Sequence, residues 1–166
     1  LVQGVGTYGY ELLRAVPELD AVYVPIGLGS GIAGVLAARN ALGLRTEIIG
    51  VVSAHADAYA QSFESGEVVS TARADTLADG LAVRVPSAEA LGYLRTGVAR
   101  VVRVNDDEVL QAIAALFADT HNLVEGAGAA PLAALMKERD RMRGRRVAVV
   151  ASGGNIDRAT LLRALT

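Results

Sequence analysis

Apolar residues fall along this chain in two alternating textures. Short solid runs, rich in valine and isoleucine, occupy residues 21–26, 46–52, 99–104 and 145–151. Runs of this kind, bounded by turn residues, are expected of strands buried on both faces inside a parallel sheet. Between them the apolar positions spread out to helical spacing. Residues 7–16 predict a short helix with Thr7 as its N-cap and Leu12, Leu13 and Val16 as its stripe. "IAGVLAARNALG" predicts a helix that stops at Gly43 as its C′ glycine. The stretch from 53 to 66 is helical in its first part, His55 included, and ends near Gly66.

Residues 70–98 have mixed propensity, with a turn at Asp79-Gly80 and a short helix begun by Ser87 and Glu89 after Pro86. The clearest helix is 105–120, where Asn105 caps, acids fill the first turn, and Val109, Leu110, Ile113, Leu116 and Phe117 share a face. Residues 125–144 predict another helix with a basic last turn. "SGGNIDRATLLRAL" is a turn into a final one. Strands alternate with helices throughout, so the expected fold is α/β, an open and mostly parallel sheet with helices on both faces, in a single domain over 1–166.

Composition narrows the picture. The chain has 52% hydrophobic but only 4% aromatic residues, so its core is built from Ala, Val, Leu and Ile. Eighteen glycines in 166 residues exceed the ordinary share of about 7%. Several of them close apolar runs, as turn and cradle residues do. A net charge of −2, with the arginines scattered, gives no footprint for nucleic acid or an acidic membrane. There is no cysteine, so neither disulfides nor thiolate chemistry are available, which fits a cytoplasmic setting. No apolar run reaches the length of about 18 residues that a membrane span needs. Lys137 is the only lysine among sixteen basic residues.

Three glycine-bearing turns carry the candidate chemistry. In "VYVPIGLGSGIAG", Gly27, Gly29, Gly31 and Gly34 follow a strand and open a helix, where bare N–H groups and the helix dipole converge on an anion. The alternative use of such glycines is close helix–sheet packing. Residues 29–34 also satisfy G-x-G-x-x-G, but a dinucleotide site needs an acid about 20 residues further on, at the end of the second strand. That strand ends in Val52 and Ser53, with Glu47 at its other end, so a nicotinamide dinucleotide is not expected. No Walker lysine follows the glycines either. In "SGGNID", residues 152–157, the serine stands at the carboxyl edge of the sheet, as a ligand contact or an ordinary cap. In "VEGAGA", residues 124–129, Glu125 is either a first-turn acid or a site residue.

Taken in order, the Gly-rich loop, "ADGLAV", "EGAGA" and "SGGNID" resemble the pyridoxal-phosphate enzymes of the threonine and serine dehydratase family, fold type II, over nearly the whole chain. "GLGSGIAG" and "DTHNLVEGAGAAPLAALM" resemble most the branch for threonine or hydroxyectoine breakdown. The resemblance implies that backbone at Gly27, Leu28, Gly29, Ser30 and Gly31 binds the cofactor phosphate. It implies that Ser152 meets the pyridine nitrogen and that Glu125 is the catalytic-site acid, a proton handler or a positioning group. Family members commonly carry four consecutive glycines in the loop, and Leu28 and Ser30 depart from that. Some relatives bind a divalent cation through positions that fall here on Val52 and Ala58, with Asp57 one residue off, so no metal is expected.

The family places its Schiff-base lysine in a Ser-Phe-Lys motif well before the Gly-rich loop, and its substrate-carboxylate motif is Ser-Ser-Gly-Asn. Neither string occurs here, and Lys137 sits at the basic far end of a helix. The resemblance therefore implies the C-terminal, cofactor-binding portion of a longer chain. The expected function of the whole is dehydration of a hydroxy amino acid such as threonine or serine to a 2-oxo acid and ammonia, as a cytoplasmic homodimer, with this portion inactive alone. The alternative is a non-catalytic phosphate- or nucleotide-binding module. His55 and His121 have no metal-ligand spacing and are expected at the surface or in a supporting place beside the site, not in catalysis.

Overall fold

The computed structural model describes residues 2–166. Strands β1 (Ala21–Pro25), β2 (Glu47–Ser53), β3 (Val98–Val104) and β4 (Val147–Val149) form one sheet in the order β3-β2-β1-β4. Every neighbouring pair is parallel, so each connection must cross over a face of the sheet. Helices supply the cover: α1 (Val2–Val5), α2 (Thr7–Ala15), α3 (Ser30–Ala41), α4 (Ala58–Ser65), α5 (Ala88–Gly97), α6 (Asp106–Thr120), α7 (Gly126–Lys137) and α8 (Arg158–Leu165).

The pleat sends alternate strand residues to opposite faces. Val22 and Val24 of β1, with Ile48 and Val52 of β2, pack against Leu13, Ile32, Val35, Tyr59 and Leu94 from α2 to α5. Tyr23, Ile49, Val51, Val102 and Val104 face the other way, against Val109 and Ile113 of α6 and the alanines 129, 130, 133 and 134 of α7. Each large apolar side chain buried this way contributes about 1.5–3 kcal/mol over exposure. The expected α/β architecture with helices on both faces is the one observed.

Local expectations fare unevenly. Gly43 and Gly66 close α3 and α4 in the left-handed conformation. Ser87 caps α5, and Asn105 with Glu108 forms a full capping box on α6. Thr7, by contrast, is not a cap: α1 precedes it, and its hydroxyl donates to the Gly4 carbonyl from inside the helical stretch. His55 lies in the turn between β2 and α4, where its backbone N–H donates to Ser53 Oγ, rather than in the helix. Phe117, expected on the apolar face of α6, is 39% exposed. The helix begun at 126 ends at Lys137, and turns carry the chain on to Gly144, which is left-handed at φ +77°. The last strand is three residues long, Val147–Val149, in register with Ala21–Tyr23 of β1.

Candidate functional site

Parallel strands all deliver their carboxyl ends to one edge of the sheet, the usual place for a ligand in such folds. Here β1 runs through Ile26 and Gly27 into α3, β4 runs into the 152–157 turn, and α7 starts beside both. A cleft of about 380 Å³ opens between them, lined by Pro25, Gly27, Ser30, Gly31, Gly80, Leu81, Glu125, Ala127 and Ser152, with Val5, Thr7 and Tyr8 at its side. Leu28 and Gly29 line an adjoining opening of about 410 Å³ together with Ser87, Glu89 and Tyr93. The structure thus brings Gly27, Ser30, Gly31, Glu125 and Ser152 to one cleft and turns Leu28 and Gly29 to the next.

The α3 turn has the form of an anion cradle. Gly29, at φ +92°, reverses the chain in a conformation that other residues adopt only at a cost, and no side chain caps the helix behind it. The first internal bond of α3 runs from the Ala33 N–H to the Gly29 carbonyl at 3.1 Å. The N–H groups of Ser30, Gly31 and Ile32 consequently have no partner within the helix and carry its positive dipole end.

Several glycines of these motifs interlock with each other instead. A Cβ on Gly27 would stand 2.6 Å from the Gly80 carbonyl oxygen, and one on Gly80 would stand 2.8 Å from Ala127 Cβ. A Cβ on Gly128 would meet the Gly153 oxygen at 2.9 Å, and one on Gly153 would run into the Glu125 carboxylate. Gly31 is different, for its nearest neighbour would be the Tyr8 hydroxyl at 3.4 Å, an ordinary contact. Packing and cradle, the two uses of glycine that the sequence allows here, therefore divide by position. Gly27 serves close approach, Gly29 the turn, and Gly31 leaves open space.

Glu125 holds the serine turn. Its backbone N–H donates to the Gly153 carbonyl at 3.0 Å, and its Oε2 accepts the Asn155 N–H at 3.0 Å. Ser152 itself is exposed toward the cleft. The residue that sequence reasoning missed is Tyr8, whose phenol is pushed up from its ordinary pKa by burial and donates to the Gly31 carbonyl at 3.3 Å. Only the glycine spacing of "GVGTYGY" hinted at it.

Other polar groups stand apart from the cleft. Lys137 lies at the opposite end of α7 from Gly126, roughly 16 Å away at 1.5 Å per residue. Its Nζ bonds to Glu108 and to the Arg103 carbonyl. Val52 and Ala58 are buried, and both Asp57 carboxylate oxygens are engaged, by Arg103 at 2.9 Å and by Gln61 at 2.7 Å. Among the described residues no three His, Asp or Glu side chains are grouped to hold a metal ion. Nor is any helix among them long and apolar enough to cross a membrane. His121 ends α6 in an exposed left-handed turn.

An open parallel sheet with a glycine cradle and a serine turn at one edge is the large-domain arrangement of fold type II pyridoxal-phosphate enzymes, and residues 1–153 match the pyridoxal-phosphate dependent enzyme family. The chain belongs to that family. It is 40% identical over 161 residues to an L-threonine ammonia-lyase of Geobacter sulfurreducens, covering 97% of this chain and 40% of that protein. It is 39% identical over 167 residues to a phenylserine dehydratase of Ralstonia pickettii, covering 99% of this chain and 51% of that one. Among solved structures, the processed form of threonine deaminase isoform 2 from Solanum lycopersicum superimposes with a TM-score of 0.91 at 30% identity, over 98% of this chain and 48% of that chain. The chain thus spans about half the length, or less, of the relatives it matches.

Proposed function

We propose that this chain is the cofactor-binding portion of a dehydratase that converts a hydroxy amino acid, threonine or serine or a close analogue, to a 2-oxo acid and ammonia. The observation that carries the reading is the convergence of four separate motifs, at Gly27 with Ser30 and Gly31, at Gly80, at Glu125 and at Ser152, on one cleft of about 380 Å³. The lyase names carried by the relatives support the reaction class.

In this reading the unpartnered amides of Ser30, Gly31 and Ile32 hold the cofactor phosphate at the α3 N-terminus. Ser152 presents its hydroxyl to the ring nitrogen. A neutral hydroxyl does not hold that nitrogen as a cation in the way a carboxylate would. Glu125 acts by positioning, since its carboxylate ties Asn155 and shapes the serine turn. Pyridoxal phosphate, when bound, supplies the electron sink for loss of the β-hydroxyl.

The single lysine is committed to Glu108 at the far end of α7, so the 166 residues by themselves are expected to turn over nothing. We extend the reading to a cytoplasmic homodimer, in keeping with a cysteine-free chain and the family likeness. The test is formation of 2-oxo acid from threonine and from serine by the whole protein, beside the 166-residue segment. Turnover by the whole and none by the segment supports the reading. Turnover by the segment, or cofactor binding without turnover of any hydroxy amino acid by the whole, sinks it.

A further inference from the structure

Tyr59 is buried to 1% exposure in α4, beneath the glycine loop, and the reaction assigns it no part. Its hydroxyl donates to the Leu28 carbonyl at 2.9 Å and accepts the Ser87 N–H at 3.0 Å. One oxygen therefore ties together the loop, α4 and the start of α5. Having one donor and one acceptor fixes the direction in which its proton points. Burial pushes the phenol up from its ordinary pKa, against the pull of the Ser87 amide, so it stays a hydroxyl.

The orientation of the Leu28–Gly29 peptide decides what the loop offers an anion. In a trans peptide the carbonyl and the following N–H point in opposite directions. With its carbonyl held inward at Tyr59, the peptide turns the Gly29 N–H away from the buried phenol. Glycine at φ +92° tolerates the reversed peptide as well, because no Cβ restricts it. A reversed peptide would put a carbonyl oxygen where the loop should present a donor, and an oxygen there repels a phosphate.

We infer that Tyr59 is a positioning residue of the anion cradle, which holds the Leu28 carbonyl inward so that the turn before α3 presents donors to a phosphate group. The inference rests on the reading that this turn receives the cofactor phosphate. The α5 side reinforces it, since Ala90 Cβ lies 2.6 Å from where a Gly29 Cβ would stand and Ser87 Oγ accepts the Ala90 N–H.

The experiment compares binding of pyridoxal 5′-phosphate, inorganic phosphate and unphosphorylated pyridoxal to the whole protein and to its Tyr59→Phe variant. Loss of one hydroxyl that aligns a donor should weaken both phosphate-bearing probes about tenfold and leave pyridoxal unchanged. Equal affinity of both proteins for pyridoxal 5′-phosphate, or an equal loss for pyridoxal, overturns the inference. If the unsubstituted protein binds pyridoxal as tightly as its phosphate, the cradle reading itself fails, and this inference with it. Should Tyr59→Phe not fold, exchange of the Ser87 amide in the unsubstituted protein decides: slowing on addition of inorganic phosphate supports the coupling, and no change overturns it.

Discussion

The Asn155 backbone N–H donates to the Glu125 carboxylate across 3.0 Å, joining two turns that stand 30 positions apart in the chain. The bond makes Glu125 the acceptor that shapes the serine turn. Glu125→Ala should cost about 1.5 kcal/mol in thermal or denaturant unfolding, the low end of the range for a lost bond to a charged group, because the bond is exposed. Glu125→Gln keeps a carbonyl acceptor and should cost less than half as much. In the whole protein the Gln variant should retain most of its turnover. A Gln variant as inactive as the Ala variant would show instead that the carboxylate moves a proton.

Gly27 and Gly31 sit four positions apart, one before α3 and one in its first turn, yet should respond in opposite ways. Gly27→Ala drives a methyl to within 2.6 Å of the Gly80 carbonyl, and overpacking of this kind costs about 1–3 kcal/mol. Gly31→Ala meets only an ordinary contact inside a helix, so its unfolding midpoint should hold or rise slightly. Its methyl nonetheless enters the cleft, and binding of inorganic phosphate should weaken. Equal loss of stability in the two variants would refute this division of labour.

Across one rung of the sheet, where Tyr23, Ile49 and Arg100 are in register, Arg100 Nη2 reaches Glu138 at 2.6 Å and the Tyr23 hydroxyl donates to the same carboxylate. Burial alone would raise the Glu138 carboxyl, but the bonds from Arg100 and Tyr23 outweigh it and hold the group below its ordinary value of 4.5. A carboxyl depressed in the folded state contributes stability that is present above the unfolded value and lost as pH falls through the folded one. Glu138→Gln should therefore be less stable than the unsubstituted protein near pH 7, with the gap narrowing below pH 4.5. A gap that stays constant from neutral to acid pH would contradict the pairing.

Much of this organisation can be read directly from residues. The valine-rich runs and the glycine stops at Gly43 and Gly66 are local signals, and each appears where spacing and backbone conformation require. The places where sequence misleads are set by long-range partners. The pairing of Glu138 with Arg100, 38 positions before it, and the short register of β4 on β1 join segments far apart in the chain. Thr7 has the chemistry of a cap, but the helical turn before it is invisible to propensity. In the site, the order of motifs is legible, whereas the interlock of Gly27 with Gly80 and of Gly153 with Glu125 is not. Such contacts exist only once the carboxyl ends of the strands have been gathered.

In the proposed reading the glycine loop and the serine turn, together with Glu125, build one cofactor site. A crystal structure of the whole protein with pyridoxal 5′-phosphate tests it most directly. The phosphate should lie within hydrogen-bonding distance of the Ser30 and Gly31 amides at the α3 N-terminus and the ring nitrogen at Ser152 Oγ, with the Glu125–Asn155 bond intact. A cofactor bound with its phosphate away from α3, or with its ring remote from Ser152, would contradict it.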